Sequence, residues 1–372
     1  MDKQSNIKLI FSAGGTGGHI IPALSVADEI KRQRPQTDIL FIGARGKMEM
    51  EKVPKAGYRI LGLPIAGIQR SLTFKNLKFP FLLLSSMMKA HRILRSYKPT
   101  GVIGFGGYAS GPVLLLAQLK NIPTFLQEQN AFPGITNKWL GKKARSIYVA
   151  YDGMEQFFPP QSLNLTGNPI RSTFLTKHIN PQEAYKTFGL EPDKPVIFFM
   201  GGSQGARSIN RAVKKHLQFF IRKGYQVIWQ TGKFFYDEAL AAIRNSGGES
   251  LIIPFIFIDD IHQAYHIADI VVARAGAISI AELSAAGKAC IFVPLPIAAE
   301  DHQRKNAMKL VDKEAAAMIS DDCLLDELPG TIERLIKDPE KRQHFEKNIQ
   351  TFARRNATKD IANDILKHLE AE

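Results

Sequence analysis

The stretch that most constrains this chain is Gly14-Gly15-Thr16-Gly17-Gly18-His19. It follows an apolar run over 8–12 that reads as a buried parallel strand, and it precedes a helical run over 20–32. Glycine at four of the five positions 14–18 lets the backbone approach a ligand closely, because no Cβ intervenes. The helix start then offers unpaired N–H groups to an anion or a polar sugar. His19 stands at that turn, either facing a ligand or capping the turn. This is not the dinucleotide fingerprint G-x-G-x-x-G, whose last glycine, counted from Gly15, would fall on Ile20. Nor does the second strand, 38–42, end in the acid that would hold a ribose; Gly43-Ala44-Arg45 follows it.

A length of 372 residues predicts two domains, each able to bury a core. Cys290 and Cys323 give neither a disulfide framework nor metal spacing, and no Asp-x-Asp or zinc-type cluster occurs, so no metal or cofactor is expected. The N-terminus lacks an export pattern, and the apolar run 79–84 is too short to span a membrane, so a cytoplasmic protein is expected. The net charge of +14 is unevenly spread: Lys52 to Tyr151 holds 15 Lys and Arg against one acid, Glu128. Such a half is drawn to polyanions, either nucleic acid or an anionic leaflet. A merely solubilising surface would intersperse acids among the bases.

Apolar strand candidates alternate with amphipathic helices, which predicts an α/β chain of parallel sheets covered on both faces. The expected strands lie near 8–12, 38–42, 58–63, 101–104, 123–127 and 146–149, then 196–200, 225–230, 251–256, 268–273 and 289–293. Two last helices are expected at 323–337 and 340–370, and a turn-rich linker over 152–172. The segment 67–98 mixes phenylalanines, leucines and methionines with bases. It reads as an interfacial docking element or as a core helix with a solvated face.

In an open parallel sheet the loops after the strand ends share one crevice. The loops 14–19, 104–111 and 127–130 therefore belong on one wall, with Tyr108 and Ser110 as polar handles. His19 and Glu128 are both candidate general bases, and Glu128 reads equally as a structural partner. A second unit restarts at Gly201-Gly202-Ser203-Gln204-Gly205-Ala206, where Ser203 and the following helix start suit a diphosphate. No P-loop lysine is present, which argues against an NTPase. Glu282, early in a helix after Gly276, suits a ribose or is a solvated helix residue; His302, Gln303 and Asn306 suit sugar hydroxyls. Without a metal, helix starts and Arg171 or Arg274 would neutralise a departing diphosphate.

Taken in order, these motifs, with Gly167-Asn168-Pro169-Ile170-Arg171, Arg274-Ala275-Gly276-Ala277 and Asp301-His302-Gln303, resemble the MurG family of peptidoglycan N-acetylglucosaminyltransferases. The resemblance implies a GT-B fold, two Rossmann-like domains with parallel sheets facing a central cleft. It assigns 1–165 to the lipid acceptor and the membrane, 166–345 to the UDP-GlcNAc donor, and 346–372 to a terminal helix packing back on the first domain. It implies inverting transfer of GlcNAc from UDP-GlcNAc to the C4 hydroxyl of MurNAc in lipid I, giving lipid II, at the cytoplasmic face of the plasma membrane.

By matching position, Ile258 meets uracil through its backbone and Glu282 the ribose. Arg171, Ser203 and the helix start Ala277, Ile278, Ser279, Ile280 and Ala281 meet the diphosphate, and Gln303 with His302 holds the GlcNAc. Thr16, Gly17, Gly18 and Asn130 approach the donor from the other domain, while Gly14, Gly15, Tyr108 and Ser110 line the acceptor side. Ser279 stands where the family commonly has threonine, and keeps the hydroxyl. Lys75, Lys78, Phe79, Phe81, Leu82, Lys89 and Arg92 are the membrane-facing candidates. Expected partners are UDP-GlcNAc, lipid I, an anionic membrane surface and other cell-wall synthesis proteins. A UDP-GlcNAc 2-epimerase of the same architecture leaves the basic half unexplained. A nucleic-acid-binding protein would want stacking aromatics among its bases and would leave the glycine loops idle.

Overall fold

The computed structural model describes residues 7–65, 79–171, 179–202 and 205–370. The chain divides into two compact units: residues up to Arg171 together with those from Arg354 onward, and Ser172–Ala353.

The first unit is a seven-stranded sheet in the order β3-β2-β1-β4-β5-β6-β7. Its strands are β1 (Lys8–Ser12), β2 (Asp38–Ala44), β3 (Arg59–Leu63), β4 (Gly101–Gly104), β5 (Thr124–Glu128), β6 (Ser146–Val149) and β7 (Leu163–Leu165). All pair in parallel. Helices α1 (Gly17–Gln33), α2 (Glu49–Lys55), α3 (Phe79–Tyr97), α4 (Ser110–Leu119) and α5 (Ile135–Gly141) connect them. The central strands are apolar almost throughout because helices bury both faces. On one face Phe11, Phe105 and Phe125 pack with α1 and the C-terminal helix; on the other Ile10, Val102 and Leu126 pack with α3, α4 and α5.

The second unit repeats the plan in six strands, ordered β10-β9-β8-β11-β12-β13. They are β8 (Val196–Met200), β9 (Gln226–Gln230), β10 (Ile252–Phe255), β11 (Ile270–Ala273), β12 (Cys290–Phe292) and β13 (Ala317–Met318). Pro254 lies in β10, an edge strand, where its missing N–H costs no ladder bond. The helices are α6 (Pro181–Phe188), α7 (Arg207–Lys215), α8 (Leu217–Lys223), α9 (Tyr236–Ser246), α10 (Ile261–Ile267), α11 (Ala277–Ala286), α12 (His302–Val311), α13 (Leu324–Lys337) and α14 (Pro339–Gln350). A final helix, α15 (Ala357–Glu370), belongs to the first unit and packs on α1.

Three expectations are corrected. The short edge strands β7 and β13 were not foreseen, since three and two residues carry no periodicity. Helix α1 begins at Gly17, so two glycines and His19 form its first turn. The expected helix over 340–370 is two helices, broken at 351–356. No glycine or proline marks that break in the sequence; it falls where the chain passes from the second unit to the first.

In each sheet the strand order reverses once, between β1 and β4 and between β8 and β11. Ligands of doubly wound sheets bind at the carboxyl ends of the strands at that reversal. The loops there are 13–16 and 105–109 in the first unit, and 274–276 with the described residues of 201–206 in the second, each running into a helix start.

Candidate functional site

In the first unit the two glycine loops interlock. A Cβ on Gly107 would stand 2.3 Å from the carbonyl oxygen of Gly14, and one on Gly106 2.9 Å from the His19 ring. Gly106 and Gly107 also have φ of 95° and 88°, where side chains are strained. Ser110 ties the loops further: its buried hydroxyl lies 2.9 Å from the Ser12 carbonyl oxygen and 2.8 Å from that of Gly106. Ser110 is thus a fastener inside the loops, not the polar handle expected from the sequence. Tyr108 is the exposed one.

His19 Nδ1 lies 2.8 Å from the Gly14 carbonyl oxygen and 3.3 Å from Thr16 Oγ. A carbonyl only accepts, so Nδ1 carries the hydrogen and, in the neutral ring, Nε2 carries the lone pair. The amides of Gly17 and Gly18 open α1, among those a helix leaves without an internal acceptor.

Glu128 ends β5 fully buried. Its carboxylate accepts from Asn130 N and Nδ2 (3.1 and 3.2 Å), from Asn137 Nδ2 (2.8 Å) and from the Gly134 amide. Burial pushes its pKa up, and these donors oppose the shift. The geometry is that of a loop organiser whose oxygens are already engaged. Beside it Gln129 Nε2 donates to the Phe105 carbonyl (2.7 Å), joining this loop to the second glycine loop. Gln127 and Asn168 are hydrogen-bonded to each other at 2.9 Å, which fastens the 127–130 turn to the 167–171 segment. Arg171 follows, half-buried.

In the second unit the carboxyl-end loops are also cross-linked. Gln230 Oε1 accepts from the Ile258 N–H at 3.0 Å, so the Ile258 backbone group expected to meet a base has its donor engaged. Helix α11 starts after the Gly276 cap, which makes no side-chain cap hydrogen bond. Ala277, Ile278 and Ile280 bury their side chains, while Ser279 and Ala281 are half-buried. Glu282 is 5% exposed, which removes the reading of a solvated helix residue. Arg274, offered above as a diphosphate partner, is a structural hub instead. Its guanidinium donates to Asp321 (2.5 Å), Ser208 Oγ (2.7 Å) and the carbonyls of Val293 and Pro294. Asp321 and Ser208 escaped the sequence reading because they lie in unremarkable contexts, 47 and 66 residues from Arg274. Gln303 Oε1 accepts from the Leu295 amide at 3.0 Å and so braces the 294–301 loop. Glu300 and Asp301 in that loop have φ of 52° and 55°, strain of the kind that collects at binding loops. His302 begins α12, half-buried. Ser203 lies outside the described residues.

Helix α3, which holds most of the described part of 67–98, has both a core side and an exposed apolar side. Ser86, Ala90, Ile93 and Leu94 face the core, whereas Phe81, Leu84 and Met88 are exposed, 76%, 58% and 51%. Arg92 is exposed, and Phe79 and Leu82 are half-buried. Lys89 turns inward, donating to the Gly62 carbonyl at 2.7 Å, so it is withdrawn from the candidate surface. Burial pushes its pKa down. Lys75 and Lys78 lie outside the described residues. Exposed Leu119, Ile135 and Trp139 lie on α4 and α5, which pack next in turn. No described helix is long and apolar enough to cross a membrane, and no group of three or more His, Cys, Asp or Glu among the described residues is placed to hold a metal ion.

Comparison with known proteins agrees with this plan. Residues 9–149 match the glycosyltransferase family 28 N-terminal domain and 196–365 the glycosyltransferase family 28 C-terminal domain. A Flavobacterium psychrophilum protein is 46% identical over 98% of both chains, and one from Cytophaga hutchinsonii 45% identical over the full length of both. Both are named UDP-N-acetylglucosamine--N-acetylmuramyl-(pentapeptide) pyrophosphoryl-undecaprenol N-acetylglucosamine transferase. The crystal structure of Acinetobacter baumannii MurG superposes with a TM-score of 0.77 at 28% identity, covering 97% of this chain and 99% of that one. With two Rossmann-like units in the GT-B manner and relatives of this identity along its whole length, the chain belongs to glycosyltransferase family 28 and, within it, to the MurG family.

Proposed function

We propose that this protein transfers GlcNAc from UDP-GlcNAc to the C4 hydroxyl of MurNAc in lipid I, forming lipid II, by a single inverting displacement. The observation that carries the mechanistic part is the His19 Nδ1–Gly14 carbonyl bond, which sets the tautomer a general base needs. In this reading the second unit holds most of the donor: Glu282 takes the ribose, the α11 start takes the diphosphate with Ser203, Ile258 meets uracil through its carbonyl, and Gln303 with His302 holds the sugar; Arg171, the last residue of the first unit before the chain enters the second, also meets the diphosphate. The first unit supplies the base and the acceptor loops, with Gly14, Gly15 and Tyr108 toward the acceptor and Thr16, Gly17, Gly18 and Asn130 toward the donor.

His19 Nε2 removes the proton as the C4 oxygen forms its bond to C1 of GlcNAc and the bond from C1 to UDP breaks. Negative charge grows on the diphosphate and is met by backbone N–H groups, whose dipoles are already oriented. His19 is favoured over Glu128 because the latter's oxygens are spent on the 130–137 loop. The exposed face of α3 with Leu119, Ile135 and Trp139 is the surface that meets an anionic bilayer at the cytoplasmic face, where the acceptor lies; other cell-wall synthesis proteins are further partners.

The test is UDP release from UDP-GlcNAc with and without lipid I. Release that depends on the acceptor, together with lipid II product, is expected. Interconversion of UDP-GlcNAc with its 2-epimer in the absence of acceptor would replace this reading with the epimerase one.

A further inference from the structure

Glu49 is wholly buried beneath the first glycine loop, and nothing above gives it a part. As the first residue of α2 it looks in the sequence like an ordinary first-turn acid facing solvent. Its side chain instead turns under the sheet edge. Oε2 accepts from the Gly15 amide at 3.0 Å, and Oε1 from the Ala44 amide at the end of β2, 2.9 Å. No ion pair to Glu49 is present among the described residues. The chain has also cleared room for it: a Cβ on Gly14 would stand 2.2 Å from Oε1, and one on Gly43 2.5 Å from Cγ. A buried carboxylate with no cation is costly, and two glycines kept bare to admit it make it a poor choice for packing alone.

What it holds is the turn whose geometry sets His19. Gly15 has φ of 85° and is exposed, so the loop is not fixed there by packing. The Glu49 bond to its amide fixes the orientation of the neighbouring peptide, and the carbonyl of Gly14, in that peptide, is the acceptor for His19 Nδ1. We propose that Glu49 is a positioning residue for the transferase reaction: through the Gly14–Gly15 peptide it locks the His19 ring with its hydrogen on Nδ1. This rests on the reading of His19 as the base. Gln at 49 keeps the shape but sets an amide donor against one of two backbone donors, so the peptide is released or turned.

The experiment combines kinetics of Glu49→Gln, His19→Gln and the double variant with nitrogen-detected NMR of the His19 ring in the wild type and in Glu49→Gln. Expected are an Nδ1–H tautomer in the wild type and its loss in Glu49→Gln. Turnover of Glu49→Gln is expected to fall roughly 10- to 100-fold, the scale of a small misplacement, with the KM for UDP-GlcNAc within about twofold. The double variant is expected to be no slower than His19→Gln alone, since both changes remove one function. Additive losses, or an unchanged tautomer in Glu49→Gln, would overturn the proposal. Should Glu49→Gln not fold, Glu49→Asp, whose shorter side chain reaches one amide, is read the same way. Full turnover in His19→Gln would refute the base reading instead, and the tautomer measurement would still decide whether Glu49 governs the ring.

Discussion

The edge of the His19 imidazole lies 2.9 Å from the point at which a side chain on Gly106 would begin. Gly106→Ala therefore puts a methyl group into the ring's place and also strains a backbone with φ of 95°. We expect destabilisation of about 1–3 kcal/mol, read as a lowered Tm, and turnover reduced by at least about tenfold through displacement of the ring. UDP affinity, set mostly by the other unit in this reading, is expected to stay within about threefold of the wild-type value in calorimetry.

Removing the ring itself is a cleaner cut. His19→Ala is expected to lower turnover by roughly 10²- to 10⁴-fold, the usual contribution of a positioned base. UDP binding is expected to be unaffected. Near-normal turnover would end the assignment of His19.

Glu128 makes a contrasting prediction about pH. Burial raises its pKa in the folded protein, so the folded state holds this proton more tightly than the unfolded chain, where a glutamate titrates near pH ~4.3. Its contribution to stability is fully present below that unfolded value and is lost as pH rises through the folded one. Glu128→Gln, neutral at every pH, is expected to be less stable than the wild type at about pH 4, since its amide sets a donor against the donors around it, and to flatten this part of the stability curve, so that the gap to the wild type narrows upward from there. Chemical denaturation across pH 4–8 measures it. An organiser of the 130–137 loop leaves Glu128→Gln with much of its turnover, whereas a base would leave almost none.

For Glu282 the expected loss is in donor binding. Glu282→Ala is expected to weaken UDP by about 1.5–3 kcal/mol, the worth of hydrogen bonds to a charged group. Glu282→Gln loses less. Unchanged affinity in calorimetry would remove the ribose contact.

The exposed apolar side of α3 predicts salt-sensitive binding to anionic vesicles. Changing Phe81, Leu84 and Met88 together to Ser is expected to reduce cosedimentation by more than about tenfold, since each buried apolar side chain contributes about 1.5–3 kcal/mol. Arg92→Glu is expected to weaken binding most at low salt. Vesicle binding equal to the wild type in the triple variant would disprove the docking face.

Much of this was legible in the sequence for a definite reason. Strands such as Val196–Met200 are buried on both faces, and a continuous apolar run followed by glycines has few other outcomes. The loops at 14–19 and 274–282 were legible because glycine at a strand end announces close backbone approach. Side chains whose partners are distant in sequence were not. Glu49 and Asp321 carry no local signal and Lys89 reads as a membrane cation, yet each contacts a group between 27 and 47 residues away in sequence. Ser110 misled for the converse reason: a hydroxyl beside glycines looks available, and only the fold shows it turned onto Ser12.

The return of the chain at Arg354 carries a consequence for biosynthesis. A Cβ on Gly167 would stand 2.2 Å from Arg354 Cβ, and Thr358 Oγ lies 3.4 Å from the Ile170 carbonyl oxygen, so the outgoing and incoming segments lie side by side. Ile361, Ile365, Leu366 and Leu369 then cover a core begun at residue 7, and Asp364 receives the hydroxyls of Ser146 and Tyr148. On the ribosome the sheet of residues 8–165 keeps one apolar face bare until α15 emerges, while the inserted unit holds all of its own residues earlier. Loss of the turns that carry Ile365, Leu366 and Leu369 would thus injure a sheet synthesised about two hundred residues before them.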